Sequence, residues 1–240
     1  MFVKVIKKAK NTIFPIFRFE QMSSQQARVS VAGTGFFINR NGYFVSVAHI
    51  FDNANSQTSF RYHGQLPEML ESKSLVVDEI IKDDENDIFI GKIKIKNDKY
   101  FYLSKKIPEI GKSVCVSGYP LAQITSNSQG GLELGGVRRY FQPSFVLDKI
   151  IVNVNNGKGL IRKHDGFSVR DFGLFGMSGG PIFGINGLVV GIQASVTNPR
   201  ESKGPDGRSI FVENAIAIRS NLILDLLKKN RIRTNFFGRF

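Results

Sequence analysis

The chain is short of cysteine, of acidic residues and of long apolar runs, and each shortage narrows what it can be. Cys115 is the only cysteine, so no internal disulfide can form. No stretch approaches the ~18–20 consecutive apolar residues of a membrane-spanning helix. The opening segment, Met1 to Lys10, interleaves lysines with apolar residues instead of carrying an uninterrupted hydrophobic core, which makes it a poor secretory signal. Neither a solenoid-type repeat nor a low-complexity tract is present. These absences favour the cytoplasm, or a virus- or element-encoded protein acting inside a cell; a mature chain already freed of a signal would read the same way.

What is present points to a β-rich globular protein. A chain of 240 residues with 42% hydrophobic content can bury a sizeable core, in one domain or in two closely packed halves. Twenty-four glycines and many short β-branched or aromatic runs favour an all-β architecture rich in turns. Lysine and arginine outnumber aspartate and glutamate by 33 to 20, a net charge of +13. The excess gathers at Lys4, Lys7, Lys8 and Lys10, at Arg138 and Arg139, and at Lys228, Lys229, Arg231, Arg233 and Arg239. Such clusters can follow a phosphate backbone. No recognition motif or dense basic-aromatic stripe accompanies them, so a solvated surface is the preferred reading, and a nucleic-acid partner is admitted but not favoured. Acidic protein partners fit the charge equally well.

The chemistry concentrates in Gly176-Met177-Ser178-Gly179-Gly180-Pro181-Ile182-Phe183. Gly176, two places before Ser178, lets the backbone turn so that the amides of both residues point towards one developing negative charge. That is an oxyanion-hole design around a nucleophilic serine. Upstream, Gly33 to His49 reads as a hairpin with Asn41-Gly42 as its turn and His49 where the second strand runs out. Further on, Asn86-Asp87-Ile88-Phe89-Ile90 puts Asp87 at the head of another apolar strand. A serine hydroxyl needs a neighbouring base to become a nucleophile, and imidazole suits that task near neutral pH. Asp87 would hold the other ring nitrogen of His49, fixing its tautomer without taking the proton. His63 and His164 lie in polar sequence with no motif around them and are expected on the surface.

The chain order His, Asp, Ser is the chymotrypsin order, and here the chain resembles the trypsin-like serine proteases, most nearly the HtrA/Deg-type peptidase domain. The resemblance rests on GTGFFINRNGYFVSVAHIF around His49, NDIFIGKI around Asp87, GMSGGPIFGINGLVVGIQAS around Ser178, and Ala215 to Ile223 near the end. It implies an all-β fold of two six-stranded β-barrels with the active site in the cleft between them, closed by a short C-terminal helix. Within a single peptidase domain over 1–240, it implies a first barrel over 12–103, a crossover near Ser104 to Glu109, a second barrel over 110–219, and a helix over 220–230. Ser220 is the expected helix cap, with Leu222, Ile223, Leu226 and Leu227 on one apolar face. Lys228 to Phe240 should fray, and 123–169 should be richer in loops than the family minimum.

The implied activity is peptide-bond hydrolysis on protein or peptide substrates through an acyl-enzyme, with His49, Asp87 and Ser178 as the triad and the amides of Gly176 and Ser178 as the oxyanion hole. No cofactor or metal is expected, and the oligomeric state is open. Only about 60 residues follow Ser178, so the expected form lacks a PDZ domain. Trypsins carry, before the nucleophile, an aspartate that pairs with a newly cut N-terminus. Met177 stands there and cannot form that ion pair, which argues against activation by N-terminal insertion. Counting back along the trypsin pattern puts Phe172 at the base of the S1 pocket, Ala194-Ser195-Val196 along its wall, and Ala215 as a second wall residue. An aromatic floor favours a small or medium apolar P1 side chain. A one-residue shift would bring in Asp171 and select lysine or arginine instead. The alternative function is a latent or inactive scaffold that binds peptides or nucleic acid.

Overall fold

Strands carry most of the chain in the computed structural model, which describes residues 1–9, 12–21, 27–52, 60–65, 74–120, 123–126, 132–135, 139–155, 159–171, 173–196, 202–203, 209–210 and 214–234. The first sheet holds β1 (Ile13–Gln21), β2 (Ala27–Phe37), β3 (Tyr43–Ser46), β4 (Phe60–Gln65), β5 (Ser74–Val76), β6 (Asp78–Asp83) and β7 (Ile88–Lys92) in the order β5-β4-β1-β2-β3-β7-β6. Only Val77 separates β5 from β6, and its N–H donates to the Tyr62 carbonyl of β4 at 2.9 Å. The two therefore act as one bent strand, pairing with β4 at one end and β7 at the other. That bend closes the sheet into a barrel of six strands.

The second sheet adds β8 (Tyr102–Leu103), β9 (Ser113–Gly118), β12 (Tyr140–Asn155), β13 (Ile161–Val169), β14 (Pro181–Gly184), β15 (Leu188–Val196) and β18 (Ala215–Arg219). Its order is β14-β9-β12-β13-β18-β15-β8, and β14 also pairs with β15. The ring from β14 round to β15 is again six strands. β8 lies outside it, parallel to β15, so the chain joins the second sheet before the expected crossover. Two antiparallel pairs, β10 (Gln123–Ser126) with β11 (Leu132–Gly135) and β16 (Ser202–Lys203) with β17 (Ser209–Ile210), form two-stranded sheets of their own. The expected loops of 123–169 are corrected here: β12 and β13 form a long antiparallel pair, because alternating side chains from Tyr140 onward keep one face half-buried.

Phenylalanine builds the cores. Phe14, Phe36, Phe37, Phe44 and Phe89 are fully buried in the first barrel, and Phe51 stacks on Phe89 with centroids 3.6 Å apart. Phe101 stacks on Phe183 of β14 at 5.5 Å, and the Tyr119 hydroxyl donates to the Ile13 carbonyl at 3.1 Å, so the barrels share packing and polar contacts. The lysine-apolar alternation at the N-terminus forms helix α1 (Val3–Ala9), which buries Val5 and Ala9, while Phe2 packs edge-on against Phe183.

Helix α2 (Ser220–Lys229) turns Ile223 and Leu227 into the core, with Leu222 and Leu226 packed against it. Each fully buried aliphatic contributes about 1.5–3 kcal/mol. Ser220 does not cap this helix. Arg219 holds the cap position without a side-chain bond, and the Ser220 hydroxyl donates to the Ser104 carbonyl at 2.7 Å instead. The fraying expected from Lys228 is also corrected up to residue 234: Ile232 packs against the core, and Asn39 Nδ2 donates to the Arg233 carbonyl at 3.1 Å. Residues 235–240 lie outside the described residues. Among the described residues, no helix is long and apolar enough to cross a membrane.

Candidate active site

His49 lies in a 3₁₀ turn, Ala48–Phe51, immediately past the end of β3. Its ring Nδ1 is 2.7 Å from Asp87 Oδ2, and its backbone N–H donates to Oδ1 of the same carboxylate at 2.8 Å. An ionised carboxylate only accepts, so Nδ1 carries the proton and Nε2 of the neutral ring keeps its lone pair. Among the described residues Nε2 has no hydrogen-bond partner, and the side chain is 32% exposed. A base with one nitrogen fixed and the other free towards solvent is what proton abstraction requires.

Asp87 reaches His49 from the turn between β6 and β7, with φ at +55°. The left-handed region costs a non-glycine residue roughly 1–2 kcal/mol. The Ala48 N–H donates to the Asp87 carbonyl at 3.2 Å, and Asp83 Oδ1 accepts the Asn86 N–H at 3.1 Å, which holds the turn. The carboxylate is fully buried. Burial opposes its ionisation, but hydrogen bonds from His164 and then His49 outweigh it, and the pKa lies well below the ordinary carboxylate value.

His164, expected on the surface, is a correction: it is 2% exposed, with Nε2 at 3.0 Å from Asp87 Oδ2 and Nδ1 at 2.9 Å from Ser195 Oγ. His63, also expected on the surface, is half-buried, its ring 4.6 Å from that of Phe19. Arg162, two residues before His164 on β13, is 3% exposed. It forks onto Asp52 at 2.7 and 2.8 Å, reaches Asp84 at 2.8 Å, and sets Nε 3.4 Å from Asp87 Oδ1. Burial opposes ionisation of Asp52, but bonds from Arg162 and Lys82 lower its pKa. The same carboxylates push the Arg162 pKa up against its own burial. Sequence reasoning missed both β13 residues. Their signal was period-two: Arg162, His164, Gly166 and Ser168 put no apolar side chain on one face of a core strand.

Ser178 lies in the turn before β14, between Gly176 at φ +93° and Gly179 at φ +85°. A β-carbon on Gly179 would overlap Ser46 Oγ and the Thr34 carbonyl, so close approach as well as φ requires glycine there. Neither the Gly176 N–H nor the Ser178 N–H donates to any acceptor among the described residues. Thr34 of β2 grips this turn. Its hydroxyl donates to the Gly176 carbonyl at 2.7 Å and accepts the Tyr119 N–H at 3.0 Å, while its N–H donates to the Ser178 carbonyl at 2.8 Å. Met177 is fully buried in the apolar cluster of the second barrel and anchors the turn from the other side. The Ser178 carbonyl and Ile50, the neighbour of His49, both come within about 3 Å of where a Gly33 β-carbon would stand, so the turn abuts the His49 segment. No hydrogen bond joins Ser178 Oγ to His49 Nε2. Such bonds are often long before substrate arrives.

Of the pocket residues, Phe172 lies outside the described residues. Ala194 and Ala215 are buried, Ser195 and Val196 half-buried, and β15 pairs Ser195 with Ile216 and Val196 with Ala215. A β-carbon on Gly173 would overlap Val196, which places the segment after Phe172 against that wall. Asp171 is 6% exposed. Among the described residues, no group of three or more His, Cys, Asp or Glu side chains is arranged to hold a metal.

The family model described as the trypsin-like peptidase domain matches residues 33–192, which include His49, Asp87 and Ser178. The chain belongs to that family. This trypsin-like peptidase domain is 24% identical over 234 residues, 94% of its length, to a Buchnera aphidicola protein named "probable periplasmic serine endoprotease DegP-like", of which the match covers 43%. It is 32% identical over 114 residues to the Sinorhizobium fredii protein y4bJ, covering 47% of this chain and 16% of that protein. The chain thus spans less than half the length of these curated relatives. Among solved structures, the active form of the Rv3671c protease of M. tuberculosis aligns with a TM-score of 0.67 at 18% identity, over 98% of this chain and 86% of that one. The HtrA-type protease AlgW with a decapeptide aligns at 0.66 and 15% identity, over 95% and 67%. At these identities the structural likeness establishes the fold, two β-barrels with a short C-terminal helix. The cytoplasmic expectation is corrected: the relative matched across nearly the whole domain is named as a probable periplasmic protease.

Proposed function

We propose that the domain is a serine endopeptidase in which Ser178 attacks the substrate carbonyl, His49 takes its proton and passes it to the leaving amine, and Asp87 orients His49. The halves 12–103 and 110–219 supply the base and the nucleophile. The observation that carries the reading is the fixed tautomer of His49: Nδ1 and the backbone N–H are both held by Asp87, while Nε2 is left free. The unused amides of Gly176 and Ser178 suit the oxyanion of the tetrahedral intermediate, and collapse of that intermediate gives the acyl-enzyme. The substrate is a protein or peptide chain, as the family and the decapeptide seen with AlgW suggest.

A small or medium apolar P1 residue fits best. Asp171, the rival for a basic P1, is buried at 6% exposure, and its field contributes to raising the Cys115 thiol pKa. A fluorophosphonate probe tests the assignment. Labelling that disappears in Ser178→Ala and persists in Ser195→Ala is the expected result. Labelling lost in Ser195→Ala alone would move the nucleophile to the Ser195–His164–Asp87 chain, and no labelling of folded protein would favour a scaffold. A peptide-library scan with strong preference for arginine at P1 would overturn the apolar pocket.

A further inference from the structure

We propose that His164 is a positioning residue of the catalytic centre: a second imidazole on the Asp87 carboxylate that ties β15, through Ser195, to the orientation of His49. The proposal rests on the roles given above to His49, Asp87 and Ser178. Its basis is how the donors divide the carboxylate. Oδ1 takes the His49 backbone N–H at 2.8 Å and faces Arg162 Nε at 3.4 Å, whereas Oδ2 takes both rings, His49 at 2.7 Å and His164 at 3.0 Å. The oxygen that steers the base is therefore shared.

The carboxylate accepts only, so His164 donates through Nε2. In a neutral ring Nδ1 is then an acceptor, and at 2.9 Å it receives the Ser195 hydroxyl proton. The chain runs one way, from Ser195 to His164 to Asp87, and meets His49 on the same oxygen. With His164 in place, Oδ2 is pinned and part of its charge is drawn away from His49. Without it, a buried carboxylate loses a charge-assisted bond, and His49 meets an oxygen freer to turn and more basic. Imidazole offers a donor on one side and an acceptor on the other at this span. The groups around His164 are Asp87 of the turn at 84–87, Ser195 of β15, Arg162 of its own strand, and His49. Asp52, Asp84 and Lys82 complete the charges behind Arg162.

The test uses the full chain with His164→Gln, His164→Asn and His164→Leu. Two measurements are made: the rate of fluorophosphonate labelling at Ser178 across pH, and the low-field proton NMR signal of the His49 Nδ1–H. Glutamine can place an amide N–H where Nε2 stands, so it should label within about threefold of the parent. Asparagine and leucine cannot reach Asp87 and should label roughly 10- to 100-fold slower, taking the scale that holds when the partner orienting a metal-bound histidine is removed. In both slow variants the pH profile should move and the low-field signal should shift or vanish. Labelling of the asparagine and leucine variants at the parent rate with an unchanged pH profile would overturn the proposal. So would a folded glutamine variant as slow as leucine. If leucine does not fold, the glutamine-asparagine pair decides. If the parent is not labelled at Ser178, the functional reading fails, and the NMR signal decides alone: a shift in asparagine but not glutamine upholds the positioning role, and no shift in either overturns it.

Discussion

Thr34→Val replaces a hydroxyl by a methyl group of nearly the same shape, at a fully buried position on β2. Two main-chain groups lose this partner: the Gly176 carbonyl, bonded at 2.7 Å, and the Tyr119 N–H, bonded at 3.0 Å. A buried polar group deprived of its partner costs about 1–3 kcal/mol. Taking the middle of that range for both, and offsetting about 0.8 kcal/mol for the added apolar group, leaves roughly 3 kcal/mol. In a chain of this size that lowers Tm by roughly 6–12 °C. Thr34→Ser keeps the hydroxyl and should cost only about 1 kcal/mol. Thermal unfolding followed by circular dichroism compares the three proteins. Labelling at Ser178 should slow in the valine variant but not the serine one, because the Gly176 carbonyl belongs to the turn that carries both free amides. A valine variant that melts within about 2 °C of the parent and labels at the parent rate would refute the clamp.

Three further outcomes follow from the same contacts. Asp87→Asn should reduce peptide hydrolysis by about 10³–10⁴-fold, since an amide favours the wrong tautomer of His49, and a rate near the parent's would discard Asp87 as the orienting group. Asp87 and Asp52 both have folded-state pKa values below the unfolded value of about 3.9, so their stabilisation is complete above that pH and is lost as pH falls towards the folded values. Urea midpoints should therefore drop below about pH 4, with a smaller drop in Asp52→Asn, whereas midpoints that rise on acidification would contradict the sign. Burial, then the charge of Asp171, pushes the Cys115 thiol up to about 12. Iodoacetamide at pH 8 should leave the native protein unmodified by mass spectrometry and alkylate it after unfolding, and modification of native protein would show that the second barrel opens.

The residues legible in the sequence share one property: their surroundings are local. Ser178 is framed by glycines within two positions, His49 follows a hairpin whose turn is spelled out by Asn41-Gly42, and Asp87 directly precedes the run Ile88-Phe89-Ile90. The closed barrels were reached by resemblance, and the glycine-rich turns and apolar strand runs agree with them. Thr34, Arg162 and His164 were not legible, because each acts on a residue far away in sequence: Thr34 on Gly176, Arg162 on Asp52, His164 on Asp87. Only the register of β13 against β12 and β18 buries Arg162 and His164 on the strand face opposite the core residues Phe167 and Val169, and a stretch spelled Arg-Lys-His-Asp reads as surface until that register is known. Averaged along the segment, polarity hides His164; the alternation of the strand's two faces exposes it. Buried polar side chains survive only where they are paired. A strand face carrying a buried arginine and a buried histidine therefore had to meet charge: Arg162 meets Asp52 and Asp84, and His164 meets Asp87, the carboxylate that holds His49.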